Sequence, residues 1–472
     1  MDKLLNADFI NVFNSTLDKI NVVICAIVGV AFLFQIFYLF LFFLPARKYP
    51  EAKEKHKVGV VICARNEEEI ISRTIKTLQK LNYPKDKFEI IVMADNCTDN
   101  TAELARALDG DVKVRVFERH ETNKKLCNIG GALNYLFEQL MPEIDNYDFF
   151  VRFDADSIAD SEYLNKMNNA FEAGAMTAKG YNHASNLTQN VIAGVSGLWY
   201  IRDSRFNCQA RSALHTDVFL VGSGMMFSAE CIKQDGGWVA IDTSEDIAFT
   251  LQHMKKKRKI HYVADAILYD DQPSTMKDLF RRNIRMGHSL HNLFWREGFP
   301  CLFRFFTTFR YCWLDMFLNL FFIPIAVICC IWFPIYYAYT LFFNWFAAAG
   351  DPAVANETLK FILIILFCAF IIPFILQALL VYFLDRKKIN QPFKKVAGAI
   401  FAFPMFMIIW AISIVIGVFS KQQWKQVKRN VNYNDYSQNF EAVDINPLEE
   451  KKKQKLLKST KILGKSQKNT PI

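Results

Sequence analysis

The 472-residue sequence predicts an α/β domain flanked by apolar, membrane-spanning helices at its N- and C-terminal ends. The first observation behind this fold class is an alternation of short strand-like runs with helical patterns after residue 57. The second is a set of long apolar stretches on both sides of that region. The third is the composition: 52% of the residues are hydrophobic and 22% are charged, an ordinary charged fraction that excludes wholesale disorder.

The strand and helix patterns of the central region follow one another along the chain. Residues 58–63 form a continuous apolar run of strand length, and residues 89–93 and 149–153 are further strand-like segments. Residues 68–81 and 100–108 carry apolar side chains at helical spacing. Strands that alternate with helices in this way pack as a mostly parallel sheet.

Four apolar stretches are long enough to meet a bilayer, whose hydrocarbon core takes about 20 residues of helix. They are residues 21–44, 311–346, 359–384 and 396–419. The first is too long for a signal-peptide core and has no small-residue cleavage site, so we predict an anchor. Arg47, Lys48 and Lys53 follow it, and the positive-inside rule places that end in the cytoplasm.

The number of membrane crossings stays open at the level of sequence. Four single crossings would put the C-terminal tail outside, yet this tail is rich in lysine, which favours the cytoplasm. Either residues 311–346, which Pro324 and Pro334 interrupt, cross twice, or one segment is re-entrant or interfacial. The predicted division is an anchor at 1–46, an α/β domain at 47–274, an amphipathic interface segment at 275–310, a transmembrane region at 311–420 and a basic, partly disordered tail at 421–472.

Charge and cysteine usage argue against two classes of protein. The net charge is +9, but the densest basic clusters, such as Arg386-Lys387-Lys388, flank apolar runs, which favours a lipid surface over nucleic acid. None of the 11 cysteines forms a Cys-x-x-Cys pair, and several lie inside apolar runs. We therefore expect buried free thiols in a reducing compartment rather than disulfides.

Polar residues follow the first two predicted strands, at the edge where open α/β sheets bind ligands. Glu67 lies in the segment after the first strand, and Asp95 lies in the segment after the second. These residue types also suit turns, and Thr98 or Asp99 is a candidate N-cap for the next helix. The functional interpretation is a nucleoside pocket in which Asp95 accepts a hydrogen bond from a base N–H or a ribose hydroxyl.

Asp154 and Asp156 stand just past the third predicted strand. Two carboxylates at this spacing are able to share a hard divalent cation that also takes phosphate oxygens of a substrate. Asp109 and Asp111 have the same spacing, but they follow a helix and are expected to lie in a turn. Their position after a strand therefore makes Asp154 and Asp156 the predicted metal site.

Two further segments have both a structural and a functional interpretation. Gly222-Ser223-Gly224 permits close approach of a substrate, a tight turn or a β-bulge. Thr243-Ser244-Glu245-Asp246 opens a helical pattern, and helix capping accounts for these residue types. A general base for a hydroxyl requires the same thing, namely a fixed carboxylate at a helix start that faces a cleft.

Basic residues lead from the α/β domain towards the next apolar stretch. Arg282 and Arg285 are three positions apart, so they share a face if this segment is a helix. Their guanidinium groups suit a clamp for a diphosphate leaving group. The alternative is a basic amphipathic helix that lies on anionic lipid, and the two interpretations are compatible.

Taken in this order, the motifs between residues 58 and 285 resemble those of the family 2 glycosyltransferases that have a GT-A fold and membrane helices. The layout is most similar to bacterial membrane-bound polysaccharide synthases, such as the poly-N-acetylglucosamine, cellulose and hyaluronan synthases. The resemblance covers well over half of the chain and depends on five ordered motifs, each weak by itself. It implies a GT-A (nucleotide-diphospho-sugar transferase) domain with N- and C-terminal transmembrane helices.

The resemblance implies roles for the residues at the strand ends. Asp95 falls where a family aspartate holds uracil, and Glu67 lies in the segment that lines the nucleotide. Asp154 and Asp156 match the DxD motif, which binds the diphosphate and Mg²⁺ or Mn²⁺. The implied cofactor is therefore Mg²⁺ or Mn²⁺.

The later motifs carry the acceptor and leaving-group roles in the same resemblance. Gly222-Ser223-Gly224 matches a segment near the acceptor, and Asp246, preceded by Glu245, matches the catalytic base of a Thr-Glu-Asp motif. Arg282 and Arg285 fall on a QxxRW-like motif.

The sequence departs from the family pattern at four positions. Ala94-Asp95-Asn96 replaces the common Asp-Asp-Gly, and Arg282 stands where processive synthases carry Gln. Met286 stands where these synthases carry a Trp that helps to form the acceptor end of the site. The resemblance therefore implies sugar transfer but does not imply synthesis of long chains.

The predicted function is inverting, β-linking transfer of a sugar from a nucleotide-diphosphate sugar, with a UDP-sugar favoured, to a growing polysaccharide. The predicted place is the plasma membrane, as a multi-pass protein with a cytoplasmic catalytic domain, and an accessory subunit stays open. The alternative is transfer of one or a few sugars to a lipid or lipid-linked acceptor. A transporter is disfavoured because the C-terminal apolar stretches hold almost no ionisable residue other than Asp315.

Overall fold

The computed structural model describes residues 7–41, 43–347 and 352–420. Within these residues, one central sheet contains the strands β1–β8, numbered in chain order. They are Val58–Ala64, Phe88–Asp95, Val114–Arg119, Phe149–Asp154, Ile158–Ala159, Thr177–Ala184, Met225–Ser228 and Ile260–Asp270. The order across the sheet is β3-β2-β1-β4-β7-β6-β8-β5.

The sheet is mixed rather than uniformly parallel. β1 pairs in parallel with β2 and β4, β3 extends this half in parallel, and β6 pairs in parallel with β8. β7 runs antiparallel between β4 and β6, and β5 pairs antiparallel with β8. Met225, the first residue of β7, lies opposite Arg152 of β4. The turn before β7 is therefore next to the carboxyl end of β4.

Helices cover both faces of the sheet, as the alternating sequence pattern predicts. Strand residues of successive positions face two separate hydrophobic clusters, with Val61 and Phe150 in one and Val60 and Val151 in the other. A sheet with both faces buried has continuous apolar strands, which is why these segments show no alternation with polar residues. The helices of this region, α2–α9, are Ile71–Gln79, Thr101–Arg106, Ile129–Leu140, Tyr163–Glu172, Val191–Arg202, Gln209–Ala213, Ala229–Asp235 and Glu245–Lys255.

Long apolar helices stand on both sides of the α/β domain. The N-terminal helix α1 is Ala7–Phe40. The C-terminal helices α10–α16 are Met276–Leu293, Phe299–Thr308, Tyr311–Ala347, Pro352–Leu366, Ile372–Leu384, Arg386–Ile389 and Phe393–Phe419. In the described part of the chain, the segments long and apolar enough to cross a membrane are Val12–Ala31, Tyr311–Phe343 and Phe393–Phe419.

The helices differ from the predicted apolar stretches in two ways. α12 continues through Pro324 and Pro334 as one helix of 37 residues, so this stretch does not turn back to cross twice. At 1.5 Å per residue it is roughly 55 Å long, more than the hydrocarbon core alone requires. The predicted span at 359–384 is divided by a π-helical turn at Phe367–Ile371, which separates α13 from α14.

The predictions for the cysteines and for the N-cap of α3 are confirmed only in part. All 11 cysteines are free, but Cys25 and Cys368 are exposed on the protein rather than buried; they lie in the apolar helical segments Ala7–Phe40 and Phe367–Ile371. The N-cap position of α3 is Asn100, not Thr98 or Asp99, although the Asp99 carboxylate does accept a hydrogen bond from a backbone N–H of the first turn. The basic tail at 421–472 lies outside the described residues.

α10 crosses the apolar helix α16 at very short distance. A Cβ atom on Gly287 of α10 would come within 2.7 Å of the Ile414 backbone, and one on Gly417 of α16 would strike the backbone of Ile284 and His288. Only glycine permits backbones to approach this closely. The helix that carries Arg282 and Arg285 is therefore fixed against a candidate membrane span.

A buried ion pair connects the α/β domain to α12. The Arg211 guanidinium donates from Nε to Asp315 Oδ2 at 2.7 Å and from Nη2 to Asp315 Oδ1 at 2.9 Å. Tyr38 of α1 lies against the same guanidinium, with its ring centroid 4.8 Å away. Asp315, the ionisable residue of the apolar stretch, therefore has a structural partner, and three segments of the chain meet at this pair.

We expect Asp315→Ala to lower the free energy of unfolding by about 3–5 kcal/mol, because Arg211 then remains buried without a counter-charge. The measurement is the thermal unfolding midpoint of the detergent-solubilised protein. Asp145→Ala is the matched control, since Asp145 pairs with Lys233 on the surface and its side chain is 78% exposed. Equal midpoints for the two variants would contradict the structural role of the buried pair.

Candidate active site

The carboxyl ends of β1, β2 and β4 bring the first predicted site residues to one edge of the sheet. Asp95 is the last residue of β2, Asp154 is the last residue of β4, and Glu67 follows β1. The backbones after β1 and β2 turn sharply at Asn66 and Asn96, which have φ of 56° and 52°. Asparagine tolerates this left-handed conformation better than most residues. These turns hold the loops beside the strand ends.

Asp95 is fixed by an arginine that the sequence pattern did not single out. Arg119 ends β3 directly opposite Asp95, and its Nε donates to Asp95 Oδ1 at 2.8 Å. A second guanidinium nitrogen donates to the Leu126 carbonyl at 3.0 Å. Both charged side chains are buried. A carboxylate held in this way stays oriented at the strand end, where a polar ligand group would meet it.

The predicted metal residues lie beside a third carboxylate. Asp154 is partly exposed, Asp156 is buried, and Asp270 at the end of β8 accepts a hydrogen bond from Ser157 at 2.7 Å. Burial, together with the nearby charges of Asp156 and Asp154, raises the pKa of Asp270 to about 7. Sequence reasoning missed Asp270 because it follows a strand far away in the chain.

The carboxylates of Asp154, Asp156 and Asp270 would bind a hard cation only if a ligand completed its coordination shell. In the described ranges, no group of three His, Cys, Asp or Glu side chains is close enough to hold an ion by itself. Mg²⁺ commonly binds through one or two carboxylates and completes its shell with substrate phosphates and water. The donor set of Asp154 and Asp156 fits that use, and the raised pKa of Asp270 indicates concentrated negative charge that a cation would relieve.

Asp246 is held beside the glycine-rich turn. Gly222 and Gly224 have φ of 68° and 76°. Of the alternatives for this segment, the structure therefore shows a tight turn. The Gly222 N–H donates to Asp246 Oδ2 at 2.7 Å, and the Ile247 N–H donates to Oδ1 at 2.8 Å. Burial raises the pKa of Asp246, and these two backbone donors oppose the rise.

Capping explains only part of the segment at the start of α9. Ser244 occupies the N-cap position, but its side chain makes no capping hydrogen bond. Its hydroxyl instead lies 2.6 Å from the Ser289 hydroxyl of α10. The two acids that follow are therefore fixed at the junction between α9 and α10.

A buried arginine connects the metal and base segments, and sequence reasoning missed it. Arg152 of β4 is 1% exposed. One guanidinium nitrogen contacts Asp154, and the other lies 3.1 Å from Glu245 Oε1 and 3.3 Å from the Gly222 carbonyl. Burial raises the pKa of Glu245 to about 8, and the Arg152 charge opposes that rise. A single charge within the apolar strand 149–153 was the available signal.

Arg282 of α10 is held by protein groups. It donates to Gln272 Oε1 at 2.8 Å and to the Ser196 hydroxyl, and it lies 5.6 Å from the ring centroid of Tyr200. Burial raises the pKa of Tyr200, Arg282 opposes this, and Asp270, Asp154 and Asp246 all add to it. Tyr200 thus lies near the acidic residues Asp154, Asp246 and Asp270. The sequence did not indicate this.

Some of the predicted site residues are connected to one another through Arg152, and the others lie apart from that group. Arg152 joins Asp154, Glu245 and the turn that holds Asp246. Asp95 and Glu67 lie at the neighbouring strand ends with their own partners. In the part of the chain that the structure describes, Arg285 makes no hydrogen bond or ion pair with this group.

A family profile described as "Glycosyltransferase like family 2" matches residues 56–289. A probable glycosyltransferase of Bacillus subtilis, YdaM, is 28% identical over 250 residues, which are 49% of this chain and 55% of YdaM. The poly-beta-1,6-N-acetyl-D-glucosamine synthase of Staphylococcus epidermidis is 24% identical over 57% of this chain and 64% of its own length. The beta-monoglucosyldiacylglycerol synthase of Nostoc sp. is 28% identical over 51% and 48%. This chain thus spans about half to just under two thirds of these relatives.

One solved structure shares the fold over most of the chain. It is the mannosyltransferase PcManGT from Pyrobaculum calidifontis, solved with GDP-Man and Mn²⁺. The TM-score is 0.52 at 15% identity, over 84% of this chain and 98% of that one. The predicted GT-A fold is confirmed by this likeness together with the family match. Residues 56–289 therefore match a family 2 glycosyltransferase domain, and the relatives named above are glycosyltransferases or sugar-polymer and glycolipid synthases by name.

Proposed function

We propose that this protein transfers a sugar from a nucleotide-diphosphate sugar, a UDP-sugar by preference, to a hydroxyl of a growing polysaccharide in β-linkage. The observation that carries the proposal is the placement of Asp246. Its carboxylate is fixed by two backbone donors and is joined through Arg152 to the Asp154 segment. An inverting displacement needs a base for the acceptor hydroxyl and a site for the diphosphate, the roles proposed for Asp246 and for Asp154 with Asp156.

In the proposed reaction, Asp246 accepts the proton of an acceptor hydroxyl. The hydroxyl oxygen forms a bond to the anomeric carbon, the bond from that carbon to the diphosphate oxygen breaks, and the nucleoside diphosphate leaves with the electron pair. A single displacement inverts the configuration, so an α-linked donor gives a β-linked product. Because burial raises the pKa of Asp246, this carboxylate is a stronger base than an exposed aspartate.

The proposed metal, Mg²⁺ or Mn²⁺, would be held by Asp154 and Asp156 together with the diphosphate. When bound, it neutralises charge on the leaving group. Arg282 contributes positive charge at the same cleft, and its hydrogen bonds to Gln272 and Ser196 keep it oriented. We assign the nucleoside contacts to Asp95 and Glu67 at the neighbouring strand ends.

The acceptor class has two candidates. The layout with candidate spans on both sides of the domain, and the similarity to poly-beta-1,6-N-acetyl-D-glucosamine synthase, favour a glycan acceptor at the plasma membrane, with the domain in the cytoplasm. Met286 in place of a family Trp, and the similarity to beta-monoglucosyldiacylglycerol synthase, favour a lipid or lipid-linked acceptor. Product size distinguishes the two.

The test uses purified protein in lipid vesicles with Mn²⁺ or Mg²⁺ and a panel of nucleotide sugars. Nucleotide release and product size are measured. Release with a long polymer supports the polysaccharide proposal, and release with short or lipid-linked products supports the alternative. No release with any donor, despite nucleotide binding, would count against the proposal.

We expect Asp246→Asn to lower turnover by about 10²- to 10⁴-fold, the usual contribution of a general base, while nucleotide affinity stays unchanged. Turnover and nucleotide binding are measured on the same preparation. Asp265→Asn is the control, because Asp265 is an exposed carboxylate on β8. Near-normal turnover of Asp246→Asn would show that the base is assigned wrongly.

We expect Asp156→Ala to weaken nucleotide binding in the presence of Mn²⁺ by at least about 10-fold, because even outer-shell substitutions at metal sites cost that much. Binding in the presence of a chelator should change little. Asp111→Ala is a matched control, since Asp111 belongs to an Asp-x-Asp pair in an exposed turn. The metal assignment fails if the two variants bind nucleotide equally in Mn²⁺.

A further inference from the structure

Lys179 is a buried lysine that none of the motifs above includes. It lies in β6, is 1% exposed, and pairs with Met225 of β7 and Tyr262 of β8. Burial of an ammonium group costs several kcal/mol unless polar partners replace its water. Its partners here are Asn182 Oδ1 at 2.9 Å and the backbone carbonyl of Ser223. Lys179 of β6 therefore holds the glycine-rich turn, Gly222-Ser223-Gly224, through its hydrogen bond to the Ser223 carbonyl.

The turn is held through three successive carbonyl groups. Val221 accepts from Asn182 Nδ2 at 3.4 Å, Gly222 accepts from Arg152 at 3.3 Å, and Ser223 accepts from Lys179. The Gly224 N–H donates to the Arg152 carbonyl at 2.9 Å. The Gly222 N–H is the group that donates to Asp246. The direction of that N–H is thus set by the donors that hold the carbonyls around it.

We propose that Lys179 is a positioning residue for Asp246. Lys179 acts by holding the Ser223 carbonyl and by placing a positive charge near the Asp246 carboxylate. This inference rests on the proposed function, because it takes Asp246 as the base. Lys179 is covered by the turn and would not touch substrate, so the role differs from that of the residues in the cleft.

The charges around Asp246 predict a pH signature for this role. Arg152 from β4, Lys179 from β6, Glu245 from its own helix and Tyr200 from α6 face the carboxylate. Burial raises the pKa of Asp246, and the Lys179 charge lowers it. Loss of that charge would raise the pKa, so the base would need a higher pH to be ionised.

Burial also lowers the pKa of Lys179 itself, and neighbouring acids oppose the fall. Cys208, Asp270, Asp203 and Asp246 supply that opposing effect. The same ammonium therefore faces both the base segment and the acidic cluster at the end of β8. A neutral side chain at this position would leave two acidic groups without their common counter-charge.

The test compares Lys179→Met, Lys179→Arg and Lys388→Met in the full chain. We expect Lys179→Met to lower kcat by about 10-fold or more, since small misplacements of catalytic groups have effects of this size. Nucleotide affinity should stay within about twofold, and the acidic limb of the kcat profile should move to higher pH. Lys179→Arg should keep the wild-type limb because it keeps the charge. Lys388→Met is the control, since Lys388 is a partly buried lysine that contacts Ala264 and Tyr181 instead.

Each outcome supports or overturns the role. Wild-type kcat and an unmoved limb in Lys179→Met, with Asp246→Asn inactive, overturn the positioning role and leave the proposed function intact. Full activity of Asp246→Asn overturns both. If Lys179→Met shows no cooperative unfolding, Asn182→Ala replaces it, because Asn182 holds both Lys179 and the Val221 carbonyl. Lower kcat at unchanged nucleotide affinity then supports the role, and wild-type kcat overturns it.

Discussion

The cleft depends on one buried guanidinium, that of Arg152. A charge in this position is costly unless every partner is in place, and the partners are Asp154, Glu245 and the Gly222 carbonyl. These groups belong to three separate segments of the chain. Their shared need for the same cation fixes the spacing between the carboxylates at the end of β4 and the acids at the start of α9. Loss of one partner would expose the others to unbalanced charge.

The direction of β7 makes this arrangement possible. Because β7 runs antiparallel to β4, its preceding turn reaches the carboxyl edge of the sheet, where Ser223 accepts a hydrogen bond from the Asp154 N–H at 2.9 Å. The positive φ values of Gly222 and Gly224 allow the turn to present an N–H to Asp246 on its other side. The glycine-rich turn thus contacts both Asp154 and the proposed base, Asp246.

The apolar helices are connected to the site by direct packing. The close approach of Gly287 and Gly417 fixes α10 on α16, and Trp199 of α6 lies with its ring centroid 5.3 Å from that of Trp410. α6 and α10 also supply Tyr200 and Arg282 to the cleft. α6 and α10 therefore connect the candidate spans directly to residues of the site.

Three of the eight strands, the acidic residues after them and the resemblance to the family 2 glycosyltransferases are readable from the sequence. Continuous apolar runs, helical spacing and acids placed just after strands are local patterns, so Asp95, Asp154 and Asp246 were recognisable without coordinates. The residues that lie beside these acids from distant parts of the chain are visible in the fold alone. Arg152, Arg119, Asp270 and Lys179 belong to the site because strand pairing brings them there, and no short segment records that pairing. The physical reason is that a buried charge is satisfied across the sheet rather than along the chain.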